Sequence, residues 1–193
     1  MIKIRSVLLI LLLIGSSCGR NDDPSLPVPP GDPQTPSESG SAEPTSCTKA
    51  TGGEDSFVYL TAVRAADQGS SDRIVFEFSP PDSGAAKIPK FEIEEVKPPL
   101  TRDPSDEAMQ VEGERFLRVI FHGATGVELK GETVIERYRG PKEIKMGLQT
   151  LIEAEQQGDF EATLSWVMGL GRLQCPQITV LSDPLRVAFD FSH

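Results

Sequence analysis

The clearest alternation of apolar and polar residues lies at residues 72–78, which read DRIVFEF. The side chains of Ile74, Phe76 and Phe78 share one face of an extended chain, and charged side chains occupy the other face. A period of two, with β-branched and aromatic residues at the apolar positions, is typical of a half-buried strand. The pattern therefore predicts a strand that covers a hydrophobic core.

The same pattern returns near the C-terminus at residues 185–191, which read LRVAFDF. One motif used twice suggests two related halves packed as sheet on sheet. Each copy has a basic residue near its start and an acidic residue near its end, so antiparallel pairing would join opposite charges. This register predicts Arg73 opposite Asp190 and Arg186 opposite Glu77.

Other short alternating runs are separated by turn signals such as Pro80-Pro81 and Ser182-Asp183-Pro184. They predict strands at 57–65, 90–96, 115–122, 133–138, 160–168 and 178–181. Eight or nine short strands with near-regular turns are typical of an all-β domain. The predicted fold is a β-sandwich or a flattened barrel.

Residues 142–157 are ambiguous. The spacing of Ile144, Leu148 and Leu151, together with many good helix formers, favours a helix. Alternation in the second half of the run instead favours a strand, which a hairpin turn at residues 157–159 would end.

The chain begins with three features of an exported protein. Residues 1–17 combine basic residues, an apolar run at 7–14 and small residues before Cys18, as in a secretory signal peptide. The run is too short for a membrane-spanning helix. The small residues followed by Cys18 resemble a bacterial lipobox, in which the cysteine is acylated, for example with palmitate. Gly15 departs from the usual pattern, and the alternative is ordinary cleavage that leaves Cys18 free.

Composition divides the remaining chain in two. Residues 18–53 are rich in proline and serine and contain no aromatic residue, so they predict a disordered linker. Residues 54–193 form a segment of ordinary domain size with enough apolar residues for a core. The expected protein is a membrane-anchored lipoprotein of the cell envelope or, without the lipid, a secreted protein.

The net charge of −10 becomes −12 if Lys3 and Arg5 leave with the signal peptide. Such an acidic protein repels phosphate groups, which excludes nucleic acid as a partner. It also argues against docking on anionic lipid, so contact with the membrane is expected only through the lipid anchor.

If Cys18 is acylated, Cys47 and Cys175 remain in an oxidising compartment. They predict a disulfide, and the alternative is two free thiols.

The sequence offers no catalytic or metal site. Its two histidines, His122 and His193, cannot assemble a hydrolytic triad or a zinc site, and nucleotide-binding motifs are absent. The acidic residues between 98 and 114 lack the spacing of a calcium loop and are expected to be solvated. The predicted protein is not an enzyme and needs no cofactor or metal.

Five side chains are candidates for ligand binding. Trp166 could stack on a sugar ring, but it shares a face with apolar residues and is expected in the core. Tyr59 and Tyr138 have ambiguous faces and could be exposed. Arg73 and Arg186 point away from the apolar faces, where they would form cross-strand ion pairs or recognise a carboxylate on a peptide stem.

Three runs carry a resemblance to a known family. Residues 72–78, residues 158–170 (GDFEATLSWVMGL) and residues 181–191 (LSDPLRVAFDF) are similar, in order and spacing, to the AMIN-like domain of secreted and lipoprotein bacterial proteins. The resemblance covers about Phe57 to Phe191. It implies a β-sandwich and places a strand pair around Gly158, which overrules the helix near Ile152 and leaves residues 142–150 open.

The resemblance also implies a function. The AMIN module of cell-wall amidases targets proteins to peptidoglycan or to the septal envelope. The first hypothesis is therefore a non-enzymatic targeting module that holds peptidoglycan or another envelope component. The alternative is a structural or inhibitory protein-interaction domain without affinity for glycans.

Overall fold

A computed structural model of the chain describes residues 46–82 and 86–193. The described residues form strands, turns and loops, with no helix. No helical segment within these ranges has the length and apolar character required to cross a bilayer. The predictions for the signal peptide, for Cys18 and for the linker up to residue 45 concern residues outside the described ranges.

Fifteen strands of two to ten residues make up the fold, more than the eight or nine predicted. In chain order they are β1 (Ala50–Gly52), β2 (Val58–Asp67), β3 (Ser71–Ser79), β4 (Lys90–Val96), β5 (Leu100–Thr101), β6 (Ala108–Met109), β7 (Arg115–His122), β8 (Ala124–Thr125), β9 (Val127–Lys130), β10 (Thr133–Glu136), β11 (Glu143–Lys145), β12 (Leu151–Phe160), β13 (Thr163–Leu170), β14 (Gln177–Ser182) and β15 (Leu185–Ser192).

Two main sheets face each other and enclose the core. The six-stranded sheet has the order β1-β4-β7-β13-β12-β11, and the five-stranded sheet has the order β14-β15-β3-β2-β8. Only the short pairing of β2 with β8 is parallel within these sheets. The hairpins β5–β6 and β9–β10 form two small separate sheets. The all-β sandwich is thus confirmed.

The two copies of the repeated motif are neighbours in the five-stranded sheet. Strands β3 and β15 are antiparallel, with Arg73 opposite Asp190 and Glu77 opposite Arg186, as the repeat predicted. The idea that the copies mark two halves, one in each sheet, is wrong. Because the two copies are complementary in charge, they pair with each other.

Aromatic side chains join the sheets across the core. The ring centroid of Phe76 on β3 lies 5.2 Å from that of Phe121 on β7, and 5.8 Å from that of Trp166 on β13. Phe76, Phe121 and Trp166 are fully buried, so the core position predicted for Trp166 is confirmed. Tilted and edge-to-face pairs of this kind add to the stability gained by burying the rings.

A buried carboxylate also ties the sheets together. Asp72 begins the apolar face of β3 and has no exposed surface. Its Oδ2 accepts hydrogen bonds from the N–H groups of Thr150 (2.6 Å) and Leu151 (2.9 Å), at the start of β12. Its Oδ1 lies 2.8 Å from Nε2 of His193, next to β15. Asp72 therefore links the five-stranded sheet to the six-stranded sheet.

The predicted disulfide between Cys47 and Cys175 is present, with 5.4 Å between the Cα atoms. Cys47 precedes β1, the outermost strand of the six-stranded sheet. Cys175 precedes β14, the outermost strand of the five-stranded sheet. The bond therefore joins the two sheets along one side of the sandwich, which we call the disulfide side.

The ambiguous run contains strands instead of a helix. β11 and β12 are antiparallel neighbours, joined by a turn in which Gly147 has a positive φ. The helical spacing was misleading because Ile144 and Leu151 belong to two different strands and Leu148 lies in the connection between them. The hairpin turn also lies further along than predicted, at Glu161-Ala162, and Gly158 is part of β12.

The predicted linker extends too far toward the C-terminus. β1 lies within the range 18–53 but pairs with β4 over Ala50–Gly52. The disulfide at Cys47 also lies within this range. Short, weakly apolar segments of this kind have little strand signal of their own, and here the pairing and the covalent bond define the structure.

Candidate functional site

An aromatic groove of about 500 Å³ opens on the side of the sandwich opposite the disulfide side. It lies where the end of β12 meets β8, the edge strand at the other end of the five-stranded sheet from β14. We call it the aromatic groove. Its lining residues are Phe57, Tyr59, Thr125, Val127, Leu129, Asp159, Phe160, Glu161 and Ala162.

Phe57 and Tyr59 form one wall of the aromatic groove. Phe57 lies directly before β2 and keeps 42% of its surface exposed, whereas Tyr59 on β2 is buried. Their rings meet edge to face at 5.3 Å. The guanidinium of Arg137 lies over the Tyr59 ring, 5.1 Å from its centroid. The π face of an aromatic ring attracts a cation at this distance. Arg137 is itself paired with the buried Glu128. These contacts fix the wall.

Phe160 also lines the aromatic groove and is 54% exposed. It is the last residue of β12, directly before the two-residue turn Glu161-Ala162, whose φ angles of 48° and 57° are left-handed. Hairpin turns of this length require left-handed residues, and glycine or asparagine is the usual choice. Here the carbonyl oxygen of Ala162 accepts hydrogen bonds from the N–H groups of Gly123 and Ala124, which hold the turn. The unusual backbone thus fixes the position of Phe160.

The hairpin β9–β10 extends the apolar surface beyond the groove. Leu129 and Val134 are directly opposite each other on its two strands, and they are 72% and 62% exposed. Leu129 also lines the aromatic groove. The groove and the hairpin together form a cluster of exposed apolar side chains. Such clusters are typical of binding surfaces, whereas single exposed apolar residues are common everywhere.

The two candidate tyrosines are both buried, so neither is an exposed platform. Tyr59 contributes the buried part of the groove wall. Tyr138 packs edge to face on Trp166 and donates a hydrogen bond from its hydroxyl to the carbonyl oxygen of Pro141 (2.6 Å). Burial raises the pKa of Tyr138 to about 12. Tyr138 therefore lies in the core, on the far side of the groove wall.

The two candidate arginines lie on the outer face of the five-stranded sheet, at a distance of two or three strands from β8. Arg73 is engaged in a two-pronged ion pair, from Nε and Nη2 to the two carboxylate oxygens of Asp190, at 2.6 and 3.0 Å. Arg186 faces Glu77 in register, but Glu77 pairs with Arg64. Among the described residues, the buried Nε of Arg186 has no hydrogen-bond partner. Arg186 thus remains the more available of the two cations.

One group of side chains has the composition of a metal site. Ligand atoms of Asp67, Asp72 and His193 lie within 4.8 Å of one another. However, both oxygens of Asp72 already accept hydrogen bonds, and Oδ1 of Asp67 accepts one from the N–H group of Gly69 (2.6 Å). We interpret this group as a structural link between the sheets.

His122 is exposed at the end of β7, as expected for an ordinary strand-end residue.

The sequence missed Phe57 and Phe160 as exposed aromatics. Phe160 was predicted to share the inward face of Trp166, because the alternation was followed through residue 162 without a turn. In the structure Phe160 pairs with Thr163, which leaves two turn residues between the strands. The alternation along the chain gave no sign of this turn. Phe57 carried no signal, since an aromatic residue that precedes a strand is also common in cores.

The aromatic groove has the features of a small-ligand site. Most such sites are concave and apolar, with a few polar groups that orient the ligand. Here the polar groups are the carboxylates of Asp159 and Glu161 and the hydroxyl of Thr125. Oδ2 of Asp159 accepts a hydrogen bond from the N–H group of Gly126 (2.8 Å), which fixes its carboxylate. Aromatic faces and hydroxyl-binding carboxylates suit a sugar, which has apolar C–H faces and polar edges.

Comparison with known proteins gives one match. A model of the AMIN-like domain family matches residues 58–193, which include nearly all of the described fold. No curated protein and no solved structure matches the chain.

Proposed function

This chain belongs to the AMIN-like domain family, and on that premise we propose that it is a non-enzymatic module that holds peptidoglycan at the bacterial cell envelope. AMIN-like domains occur in envelope-associated proteins and act as non-catalytic targeting modules. The observation that supports glycan binding by this member is the aromatic groove, which is lined by the two exposed aromatic side chains of Phe57 and Phe160.

Anchoring belongs to the same proposal. Acylation of Cys18 after removal of residues 1–17 would hold the protein at a membrane, and residues 18–45 would connect the anchor to the domain. Tethering raises the effective concentration of the domain near the wall, so weak binding in the groove would be sufficient. The strong negative charge of the chain cannot supply attraction to an anionic wall, which is why local contacts must carry the binding.

The first prediction concerns this groove. We expect the domain to co-sediment with isolated peptidoglycan sacculi, and the double variant Phe57→Ala/Phe160→Ala to lose at least about tenfold in affinity. Truncation of a hot-spot residue, which typically lies near the centre of an interface, costs about 2 kcal/mol or more. Both side chains are about half exposed, so the variant should keep the melting temperature of the wild type within a few degrees.

The matched control is Val180→Ala. Val180 is exposed to a similar extent on β14, on the disulfide side, and it should bind sacculi like the wild type. Equal binding by the wild type and the groove variant would contradict the role of the groove. Release of soluble wall fragments would contradict the non-enzymatic assignment.

A second function is favoured by one observation. The exposed pair Leu129 and Val134 is more typical of contact with a protein than of contact with a sugar. Absence of co-sedimentation of the wild type with sacculi would support a protein-interaction module without glycan affinity. In that case Leu129→Ser/Val134→Ser should weaken binding to a protein of the envelope.

A further inference from the structure

A second cavity adjoins the aromatic groove and is polar. We call it the polar cleft; its volume is about 250 Å³. Asp159 lines both cavities, so the cleft continues from the groove. The lining residues of the polar cleft are Arg102, Asp103, Ser105, Lys142, Gln156, Gln157, Gly158 and Asp159.

Backbone contacts hold the polar cleft in shape. The pairing of β12 with β13 has an irregularity between Gln156 and Gly158, where the strand bulges toward the loop that carries Asp103. The N–H group of Asp103 donates to the carbonyl oxygen of Gln157 (3.0 Å). A side chain at Gly158 would place its Cβ 2.7 Å from that of Asp103, so glycine is required for this approach. The shape of the cleft is therefore determined by the fold of the backbone.

Two glutamines at the polar cleft lack partners for their side-chain oxygens. Gln156 and Gln157 are each only 7% exposed, and their Oε1 atoms accept no hydrogen bond from any described residue. Buried polar atoms are nearly always paired, because an unpaired acceptor costs about 1 to 3 kcal/mol. The amide of Gln157 is held by a hydrogen bond from its Nε2 to the carbonyl oxygen of Thr101 (2.9 Å). Two unpaired acceptors among the residues that line one cavity indicate a place where a ligand can bring N–H donors.

Arg102 at the polar cleft is paired with Glu155, but other charged groups there form no ion pair. Most Lys and Arg side chains elsewhere in the described fold form ion pairs, such as Arg73 with Asp190 and Lys49 with Glu92. Lys142 and Asp103 are exposed at the cleft and form no ion pair with each other or with any other described residue. The backbone of Lys142 is held by a hydrogen bond from the N–H group of Gln156 (2.7 Å). The cleft therefore presents one cation, Lys142, and two carboxylates, Asp103 and Asp159, that form no ion pair with a described residue.

We propose that the polar cleft binds the zwitterionic head group of an amino acid, with a free ammonium and a free carboxylate. Lys142 pairs with the ligand carboxylate. Asp103 and Asp159 accept hydrogen bonds from the ammonium. The Oε1 atoms of Gln156 and Gln157 accept the remaining hydrogen bonds that the ammonium can donate. A ligand with a single charge would leave one of the opposed protein charges unpaired, so the zwitterion fits best.

The proposal deepens the function proposed above and rests on it for the source of the ligand. Because the polar cleft and the aromatic groove share Asp159, one wall fragment can occupy both. Its sugar lies in the groove. A diamino acid of its peptide, whose side-chain end keeps an ammonium and a carboxylate outside the peptide bonds, lies in the cleft.

The test is a titration of the isotope-labelled full chain with small molecules, followed by NMR. The probes are L-alanine and D-alanine, together with propionate and ethylammonium, which each keep one of the two charges. We expect at least one enantiomer of alanine to shift amide signals of residues 102–105, 142 and 156–159. Its affinity should exceed that of either singly charged probe by about tenfold.

Three variants assign the roles. Lys142→Gln should weaken alanine and propionate by about tenfold and leave ethylammonium unchanged. Asp103→Asn should weaken alanine and ethylammonium and leave propionate unchanged. The control is Lys97→Gln, which removes another exposed lysine that has no ion pair to a described residue and does not line the cleft. It should change none of the affinities.

Absence of shifts at the polar cleft with both enantiomers would overturn the proposal, and so would equal alanine affinity in the wild type and Lys142→Gln. Sacculi binding separates this failure from failure of the proposed function. If the wild type pellets with sacculi and alanine does not bind, the wall module stands and the head-group site falls. If alanine binds and the wild type does not pellet with sacculi, the head-group site is supported and the proposed binding to peptidoglycan is contradicted.

Discussion

Replacement of both Cys47 and Cys175 by serine is expected to lower the free energy of unfolding by about 3 to 5 kcal/mol. The two residues are separated by 128 positions, so the bond strongly restricts the unfolded chain. In the chain-entropy model a loop of this length corresponds to nearly 5 kcal/mol, and measured values are often lower. The folded state also loses its covalent link between β1 and the connection to β14. The measurement is urea unfolding followed by fluorescence of Trp166, the single tryptophan.

A reducing agent should give the wild type the same midpoint as the double variant, because both lack the bond. The control Cys18→Ser, which leaves the disulfide intact, should unfold like the wild type. A loss of less than about 1 kcal/mol in the double variant would mean that the packing of the two sheets alone holds the disulfide side closed.

Asp72→Ala is expected to lower the free energy of unfolding by about 3 to 5 kcal/mol, because it breaks a buried, charged hydrogen-bond network. The N–H groups of Thr150 and Leu151 would remain buried without an acceptor. Asp72→Asn keeps the shape and one acceptor oxygen, so its loss should be smaller. Urea unfolding at pH 7 measures both variants. Equal stability of Asp72→Ala and the wild type would show that water replaces the carboxylate and that Asp72 does not tie the sheets.

The pH dependence of stability tests the same residue. Burial raises the pKa of Asp72, but the N–H groups of Leu151 and Thr150 and the side chain of His193 outweigh burial and hold the pKa below its ordinary 3.8. The contribution of a carboxylate with a lowered pKa is present above pH 3.8 and is lost as the pH falls through the folded-state value. Burial raises the pKa of Glu153 above its ordinary 4.5, so Glu153 has the opposite effect.

We therefore expect the stability difference between the wild type and Asp72→Asn to shrink as the pH falls below about 4. Glu153 is present in both proteins, so its effect cancels in the difference. Urea unfolding at pH values from 2.5 to 6 provides the measurement. A constant difference across this range would exclude an ionised Asp72 in the folded protein.

The strand pattern was readable from the sequence wherever one face of a strand meets the core. At Phe76 and Trp166, period-two alternation and burial agree, and the register of β3 with β15 followed from complementary charges. The same parity already placed Asp72 on the inward face. A carboxylate at an apolar position was the available sign of a buried link, and it was not interpreted.

The candidate site was less predictable, because it depends on how distant segments meet. Phe57 and Phe160 are 103 residues apart in the chain and line one groove only after β12 and β2 have joined different sheets. The unpaired state of Lys142 and Asp103 could not be derived either, since it depends on which carboxylates and cations lie within reach after folding. Alternation along one strand contains no information about such neighbours.

The position of the disulfide determines how the protein would respond to mechanical tension. A force applied between the two chain ends passes from Cys47 directly to Cys175, so the backbone of residues 48–174 is not stretched end to end while the bond is intact. Only the segment with β14 and β15 can be peeled from the sandwich. The covalent loop withholds roughly 400 Å of contour length, at about 3.4 Å per residue. Most of the fold, including the aromatic groove and the polar cleft, is therefore inside the unstretched part of a chain pulled at its ends.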